Sequence, residues 1–232
     1  ALLGGVSPER IALTTNATHA LNLAIRGVPV LPGTSVVTSV TEHNSVLRPL
    51  HHLAVERGSV VRAIGLDEQG GIDQVEWRAA LEAQPVLAVL NHVSNVTGRV
   101  QDVATLFSLA HKSGAVTLLD ASQSFGSMPV HAEELHADLV AFTGHKSLHG
   151  PPGTGGLYVA PHLELSPLLV GGTGIRSDLP LHPPEMPMRL EAGTPILPAS
   201  SGLCAALKWV ERRPAEFVRR AGALLERLRQ GL

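Results

Sequence analysis

Asp138-Leu-Val-Ala-Phe-Thr-Gly-His-Lys146 is the stretch on which the reading of this chain turns. Its apolar run has the length and composition of a buried strand, and it ends in a small polar turn that carries one lysine. Upstream, Ala115-Val-Thr-Leu-Leu-Asp120 has the same form but closes on a single carboxylate. Each residue alone has a plain explanation. A lysine after a strand is usually solvated, and an aspartate there often caps the next helix, a duty that Ser122 and Ser124 can share.

Together the two residues suggest a specific chemistry. A lysine amine at a strand mouth can condense with an aldehyde, and a neighbouring carboxylate can hold the proton on a pyridine nitrogen. That combination suits pyridoxal 5'-phosphate, with Lys146 as the Schiff-base amine and Asp120 as the partner of the ring nitrogen.

Outward from these two runs, apolar segments of strand length alternate with segments of helical period. The strand candidates are 35–40, 59–64, 86–90, 115–120, 138–142 and 155–159, read as buried parallel strands. Between them, 18–26, 45–57, 73–83 and 102–112 carry apolar residues on one face, as Val103, Leu106, Phe107 and Ala110 do in the last. The alternation predicts a doubly wound α/β sheet with its ligand at the carboxyl ends of the strands. Past Val159 the chain turns rich in proline and glycine, which excludes helix from most of it. Helical period resumes over 200–212 and again from Pro214, where Phe217, Val218, Ala221, Leu224, Leu225 and Leu228 form an apolar stripe.

Composition narrows the class. The 232 residues are 44% hydrophobic and 16% charged, the makeup of a globular chain with a sizeable core. A net charge of -2 and 3% aromatic residues provide neither a basic field nor stacking platforms for nucleic acid. One cysteine, Cys204, excludes an internal disulfide and suits a reducing compartment, so the expected location is cytoplasmic. No apolar run reaches the ~18 residues of a membrane span, and neither membrane nor nucleic acid is an expected partner.

Three further polar segments fall at predicted strand or helix ends. Thr14-Thr-Asn-Ala-Thr-His-Ala-Leu-Asn22 leads into a helix whose first amides and Thr18 hydroxyl suit a phosphate, although an ordinary N-cap has the same look. In Thr41-Glu-His-Asn-Ser45, His43 can stack on an aromatic ring. Asn95, within Asn91-His-Val-Ser-Asn-Val-Thr-Gly98, can donate to the phenolic oxygen of the cofactor, and Gln123 can reach the same atom. Turn chemistry and a helix-surface amide are the plain alternatives for these two.

These segments resemble, in order and spacing, the class V aminotransferase branch of the fold type I pyridoxal-phosphate enzymes, and within it the cysteine desulfurase and selenocysteine lyase group. The matching stretches are TTNATHALNLAI, TEHNSVLRPL, NHVSNVTG, LLDASQS, FTGHK and RLEAGTP, which span nearly the whole chain. The resemblance implies a three-layer α/β/α large domain with a mostly parallel seven-stranded sheet. It implies catalytic roles for Lys146, Asp120 and His43, with His43 stacked on the cofactor face. It also implies that Asn95 and Gln123 address the phenolic oxygen, and that Ala17, Thr18, Thr143 and His145 hold the phosphate. Thr194 is expected to reach that phosphate from the second subunit of a homodimer. Arg189 and Glu191 order the same loop, and Gly171-Gly-Thr-Gly174 shapes the subunit boundary. The implied reaction takes L-cysteine or selenocysteine to L-alanine and leaves sulfur on an enzyme cysteine, from which an acceptor protein can receive it. Other class V chemistries (aminotransferase, epimerase, β-lyase) and a non-catalytic cofactor-fold fragment are the alternatives.

The chain departs from that pattern in one respect. The family's acceptor cysteine and carboxylate-clamping arginine belong to a small C-terminal domain, and no such segment is found. The expectation is a large domain over 1–212, without the family's N-terminal arm, followed by a helix over 213–232 leading toward the small domain. Cys204 is expected to be a small core residue of its helix and not the acceptor. No zinc site is expected from the 12 scattered histidines, of which His51 and His52 are helix neighbours pointing apart. Gly150-Pro-Pro-Gly-Thr-Gly-Gly156 lacks the Gly-Lys-Ser/Thr of a nucleotide loop and is read as a turn after Lys146.

Overall fold

The computed structural model describes residues 2–178, 180–212 and 214–231, with backbone alone at positions 214, 215, 217 and 218. Arg213, within the expected domain boundary, and the side chains of Phe217 and Val218 lie outside the described residues.

The elements follow in the order β1 (Ile11–Thr14), α1 (Ala17–Gly27), β2 (Ser35–Ser39), α2 (Asn44–Arg57), β3 (Val60–Ile64), α3 (Gln74–Leu81) and β4 (Leu87–Asn91). Then come α4 (Val103–Lys112), β5 (Val116–Asp120), β6 (Leu139–Thr143), β7 (Gly155–Val159), α5 (Leu197–Arg212) and α6 (Pro214–Gln230). The strands form one seven-stranded sheet in the order β1-β7-β6-β5-β4-β2-β3. The helix starts are chemically specified. Asp73 accepts from the backbone N–H groups of Val75 and Glu76, and Asp102 from that of Thr105.

The central strands read as unbroken apolar runs because both of their faces are covered. Along β5, Leu118 packs with Leu21, Ile25, Leu50 and Leu53 under α1 and α2, while the next residue, Leu119, faces Trp77, Leu106 and Phe107 under α3 and α4. Trp77 is fully buried and donates its indole N–H to the Leu106 carbonyl at 3.1 Å, so its polar edge is satisfied within the core.

Two expectations about the strands are corrected, and one strand is added. β7 is not parallel: it pairs antiparallel with both β6 and β1, because the 144–154 segment returns the chain beside β6 without the crossover helix that a parallel neighbour usually needs. β3 is not buried: it is the sheet edge, and Val60 is 49% exposed. β1 escapes sequence detection because it has only four residues, one of which, Leu13, faces outward. The apolar stripe of α6 is also open, with Leu224, Leu225 and Leu228 exposed.

The chain order places a topological switch between β2 and β4, one strand in from the β3 edge. From β2 the chain moves outward to β3, then crosses back so that β4, β5 and β6 build on the other side of β2. In such sheets the crevice outside the carboxyl ends of the diverging strands is where a ligand fits. Among the described residues, no helix is long and apolar enough to cross a membrane.

Candidate active site

A cleft of ≈ 350 Å³ opens at those carboxyl ends. Asp120 closes β5 and lies in register with Asn91 of β4 and Ala141 of β6. Its side chain is buried, and Oδ1 accepts two hydrogen bonds from Ser122, from the backbone N–H at 2.9 Å and from the hydroxyl. Oδ2 has no hydrogen-bond partner among the described residues. Lys146 follows the end of β6, on a turn whose close packing needs glycine. A Cβ on Gly144 would lie 2.0 Å from Thr154 Oγ1, and Gly144 N–H and carbonyl bond to the Thr154 carbonyl and the Gly150 N–H. Lys146 is exposed and lines the cleft, and its side-chain amine makes no hydrogen bond or ion pair among the described residues.

The opposite wall is the start of α1. Asn16 caps it by accepting from the His19 N–H at 2.9 Å, so the amides of Ala17 and Thr18 remain as first-turn donors. No acidic residue occupies that first turn, and the positive end of the helix is left available to an anion. β7 approaches this turn so closely that a Cβ on Gly155 would sit 2.9 Å from Asn16 Cα and 2.7 Å from the Phe142 carbonyl oxygen. Thr143 is buried at the end of β6, and its hydroxyl lies 3.0 Å from His145 Nδ1.

His43 caps α2. Its Nδ1 accepts from the Ser45 N–H at 3.1 Å, which places the proton of the neutral ring on Nε2. The Ser45 hydroxyl bridges onward, 2.9 Å from His43 Nδ1 and 2.8 Å from Thr18 Oγ1. The ring and the anion-facing helix end are therefore tied together. Asn95 projects from a turn held by Ser94 Oγ, which accepts from the N–H groups of Val96 and Thr97, and Gln123 stands on the turn after Asp120.

The cleft thus gathers Ala17, Thr18, His43, Asn95, Asp120, Gln123, Thr143, His145 and Lys146, drawn from five separate segments. Thr194 does not join it. It lies on a second, more apolar groove with Leu13, Leu169 and Ile196. Arg189 donates to the Leu165 carbonyl at 2.7 Å and Glu191 accepts from the Leu13 N–H at 2.6 Å, so both tie the 189–194 loop to the body. Cys204 lines the same groove as Thr194 and is exposed, which corrects the expectation of a core residue: α5 turns that side of its first half away from the sheet.

Sequence reasoning passed over Asn16, Ser45, Asn91, Ser122 and Glu42 as site residues. Glu42 is the least expected. It is buried in the crevice between β2 and β4, where Oε1 accepts from Ser39 Oγ at 2.7 Å and from the Asn91 N–H at 3.0 Å. Burial, with the Asp120 charge in support, pushes its carboxyl up to about 8. An acidic residue beside a predicted strand end was the only signal available for it.

The donor set fits pyridoxal phosphate. An open carboxylate oxygen can meet a protonated ring nitrogen, a free amine can meet an aldehyde, and helix-end amides with hydroxyls can meet a phosphate. A probable cysteine desulfurase of Pyrococcus abyssi is 34% identical over 97% of this chain and 57% of its own length. The cysteine desulfurase IscS of Pectobacterium carotovorum is 39% identical over 78% of this chain and 46% of its own. The solved apo structure of a cysteine desulfurase from Thermococcus onnurineus superposes with a TM-score of 0.90 at 34% identity, covering 98% of this chain and 58% of that one. The chain spans about half the length of the curated relatives it matches. With residues 1–232 all matched by the family model for class-V aminotransferases, the chain belongs to that family.

Proposed function

We propose that the cleft holds pyridoxal 5'-phosphate and serves a cysteine desulfurase-type reaction, in which L-cysteine and a thiol yield L-alanine and a persulfide. The observation that carries this reading is the convergence of a free lysine amine and an open aspartate oxygen, at the ends of adjacent strands, facing an uncompensated helix N-terminus. The cofactor supplies an aldehyde and an electron-withdrawing ring. With the cofactor bound, Lys146 Nζ would provide the amine for that aldehyde and, as a free amine, would be placed to act as base toward a substrate α-proton. Asp120 keeps a proton on the ring nitrogen through Oδ2, while Ser122 holds Oδ1 in place. His43, with Nδ1 anchored by Ser45, would offer its ring to the face of the cofactor. Asn95 and Gln123 address the phenolic oxygen, and Ala17, Thr18, Thr143 and His145 take the phosphate.

In this proposal the protein is a homodimer in which Thr194, remote from the cleft of its own chain, serves the cleft of the second copy. The sulfur passes to an acceptor protein. The visible absorption spectrum of the chain with added pyridoxal phosphate, before and after Lys146→Ala, tests the core of the reading. A lysine-dependent band in the parent that is lost in the variant supports it. No band in either shows that this chain is not a competent cofactor domain.

A further inference from the structure

Glu42 occupies the fork where β2 and β4 part. The backbone pairing between these strands extends only over Val36–Leu87 and Val37–Ala88, and Thr38 Oγ1 adds a bond to the Val89 carbonyl at 2.9 Å. Beyond that point the Asn91 N–H has no β2 carbonyl to meet, and Glu42 Oε1 takes it instead. The Asn91 side chain is fastened to the same corner, with Nδ2 donating to the Thr41 carbonyl at 2.8 Å. Asn91 in turn stands in register with Asp120. Glu42 therefore holds the strand end beside which the cleft carboxylate sits.

The hydrogen-bond inventory of this corner is short of one donor. Among the described residues, Glu42 Oε2 and Asn91 Oδ1 are both buried acceptors without a hydrogen-bond partner. A buried carboxylate with an oxygen unpaired, close to a second carboxylate, is costly in a medium of low dielectric, whereas a carboxylic acid supplies the missing donor itself. Among the described residues no cation pairs with Glu42: the titratable groups nearby are Asp120 on β5, His92 after β4, His43 next in sequence, and His145 and Lys146 on the far side of the cleft. Burial keeps His92 toward its neutral form, and the ring of His43 is turned to Ser45.

We propose that Glu42 is carried as the neutral acid, as a positioning residue whose proton closes the Glu42–Asn91 corner and leaves Asp120 the sole negative charge on the floor of the cleft. The consequence for cofactor binding rests on the pyridoxal-phosphate reading above; the protonation itself does not. A second negative charge at the fork would compete with Asp120 for the ring proton and break the corner open. The site would then loosen as alkali removes the Glu42 proton.

Infrared spectra of the cofactor-free chain, with carbon-13 in the glutamate carboxyls, test the proton directly. Glu191→Gln serves as the background, because Glu191 is the other glutamate raised by burial. A protonated-carboxyl band at neutral pH, lost with a midpoint near 8 and missing in the added Glu42→Gln variant, is the expected result. Only ionised glutamate at neutral pH, or a band that survives Glu42→Gln, overturns the proposal. Where Glu42→Gln does not fold, the titration in the Glu191→Gln background decides alone.

Pyridoxal-phosphate titrations provide the functional readout. Glu42→Gln, a neutral isostere, is expected to bind within about threefold of the parent, and Glu42→Ala at least about tenfold more weakly. The parent's affinity should fall above the Glu42 midpoint while that of Glu42→Gln does not. A Gln variant as weak as the Ala variant overturns the positioning role. A parent that binds no pyridoxal phosphate overturns the cofactor reading, and the infrared titration then decides the proton by itself.

Discussion

Ser122 donates both its backbone N–H and its hydroxyl to one oxygen of Asp120, Oδ1, and so turns the other oxygen free to the cleft. The two donors fix the carboxylate plane. Ser122→Ala keeps the backbone bond and removes the hydroxyl. Pyridoxal-phosphate affinity should weaken by about 3- to 10-fold, the worth of one hydrogen bond to a charged group. Asp120→Asn should cost far more, since it removes the acceptor for a protonated ring nitrogen. Absorbance titration of both variants checks the order.

The bridge from His43 through Ser45 to Thr18 couples the ring to the anion-facing helix end. Ser45→Ala removes both side-chain contacts at once while leaving the Ser45 N–H bond to the ring. Nitrogen-15 shifts of the His43 ring should keep the Nε2–H tautomer, and inorganic phosphate should bind more weakly by about 1 kcal/mol. Loss of the tautomer would show that the hydroxyl, not the backbone, fixes the ring.

Gly155 lies where β7 meets the Asn16 turn, with no room for a side chain. Gly155→Ala should destabilise the chain by about 1–3 kcal/mol, the usual cost of overpacking, and weaken phosphate binding because the turn must shift. A denaturant titration and a phosphate titration on the same variant check whether the two losses occur together.

Glu42 also makes stability depend on pH. Its folded-state pKa, about 8, stands above the usual carboxylate value, so the folded chain binds more protons than the unfolded one between the two. The stability it contributes is complete at low pH and is lost as pH rises toward 8, by an amount on the order of a few kcal/mol. Burial raises Glu191 in the same sense and lowers His19 and His92, which act in the opposite one. The difference between parent and Glu42→Gln melting temperatures across this range isolates the term. A parallel pair of curves would refute it.

Much of the frame could be read along the chain. The strand candidates that became β2, β4, β5 and β6 are buried on both faces, so their apolar runs carry the signal without reference to any neighbour. The helices between them announce themselves by period and by capping residues such as Asp73 and Asp102. What failed depended on neighbours. Leu13 and Val60 sit on strands whose exposure follows from position in the sheet, and the reversed direction of β7 follows from the route back from β6 without a crossover helix. Cys204 looked like core by its type and is exposed, because which face of α5 meets the sheet is settled by packing at Leu203 and Val210.

The site divides in the same way. Lys146, Asp120, His43 and Thr18 were legible because each stands at a strand or helix end, where local chemistry singles out a polar residue after an apolar run. Glu42, Asn91 and Ser122 were not, because their importance lies in partners brought near by the sheet. The sequence by itself determined the alternation of strands and helices, and with it a ligand cleft at the strand ends, since hydrophobic period and turn chemistry act over a few residues. The tertiary structure alone decided that β2 and β4 diverge over Glu42, because burial and the loss of water there arise only when segments far apart in the chain pack together.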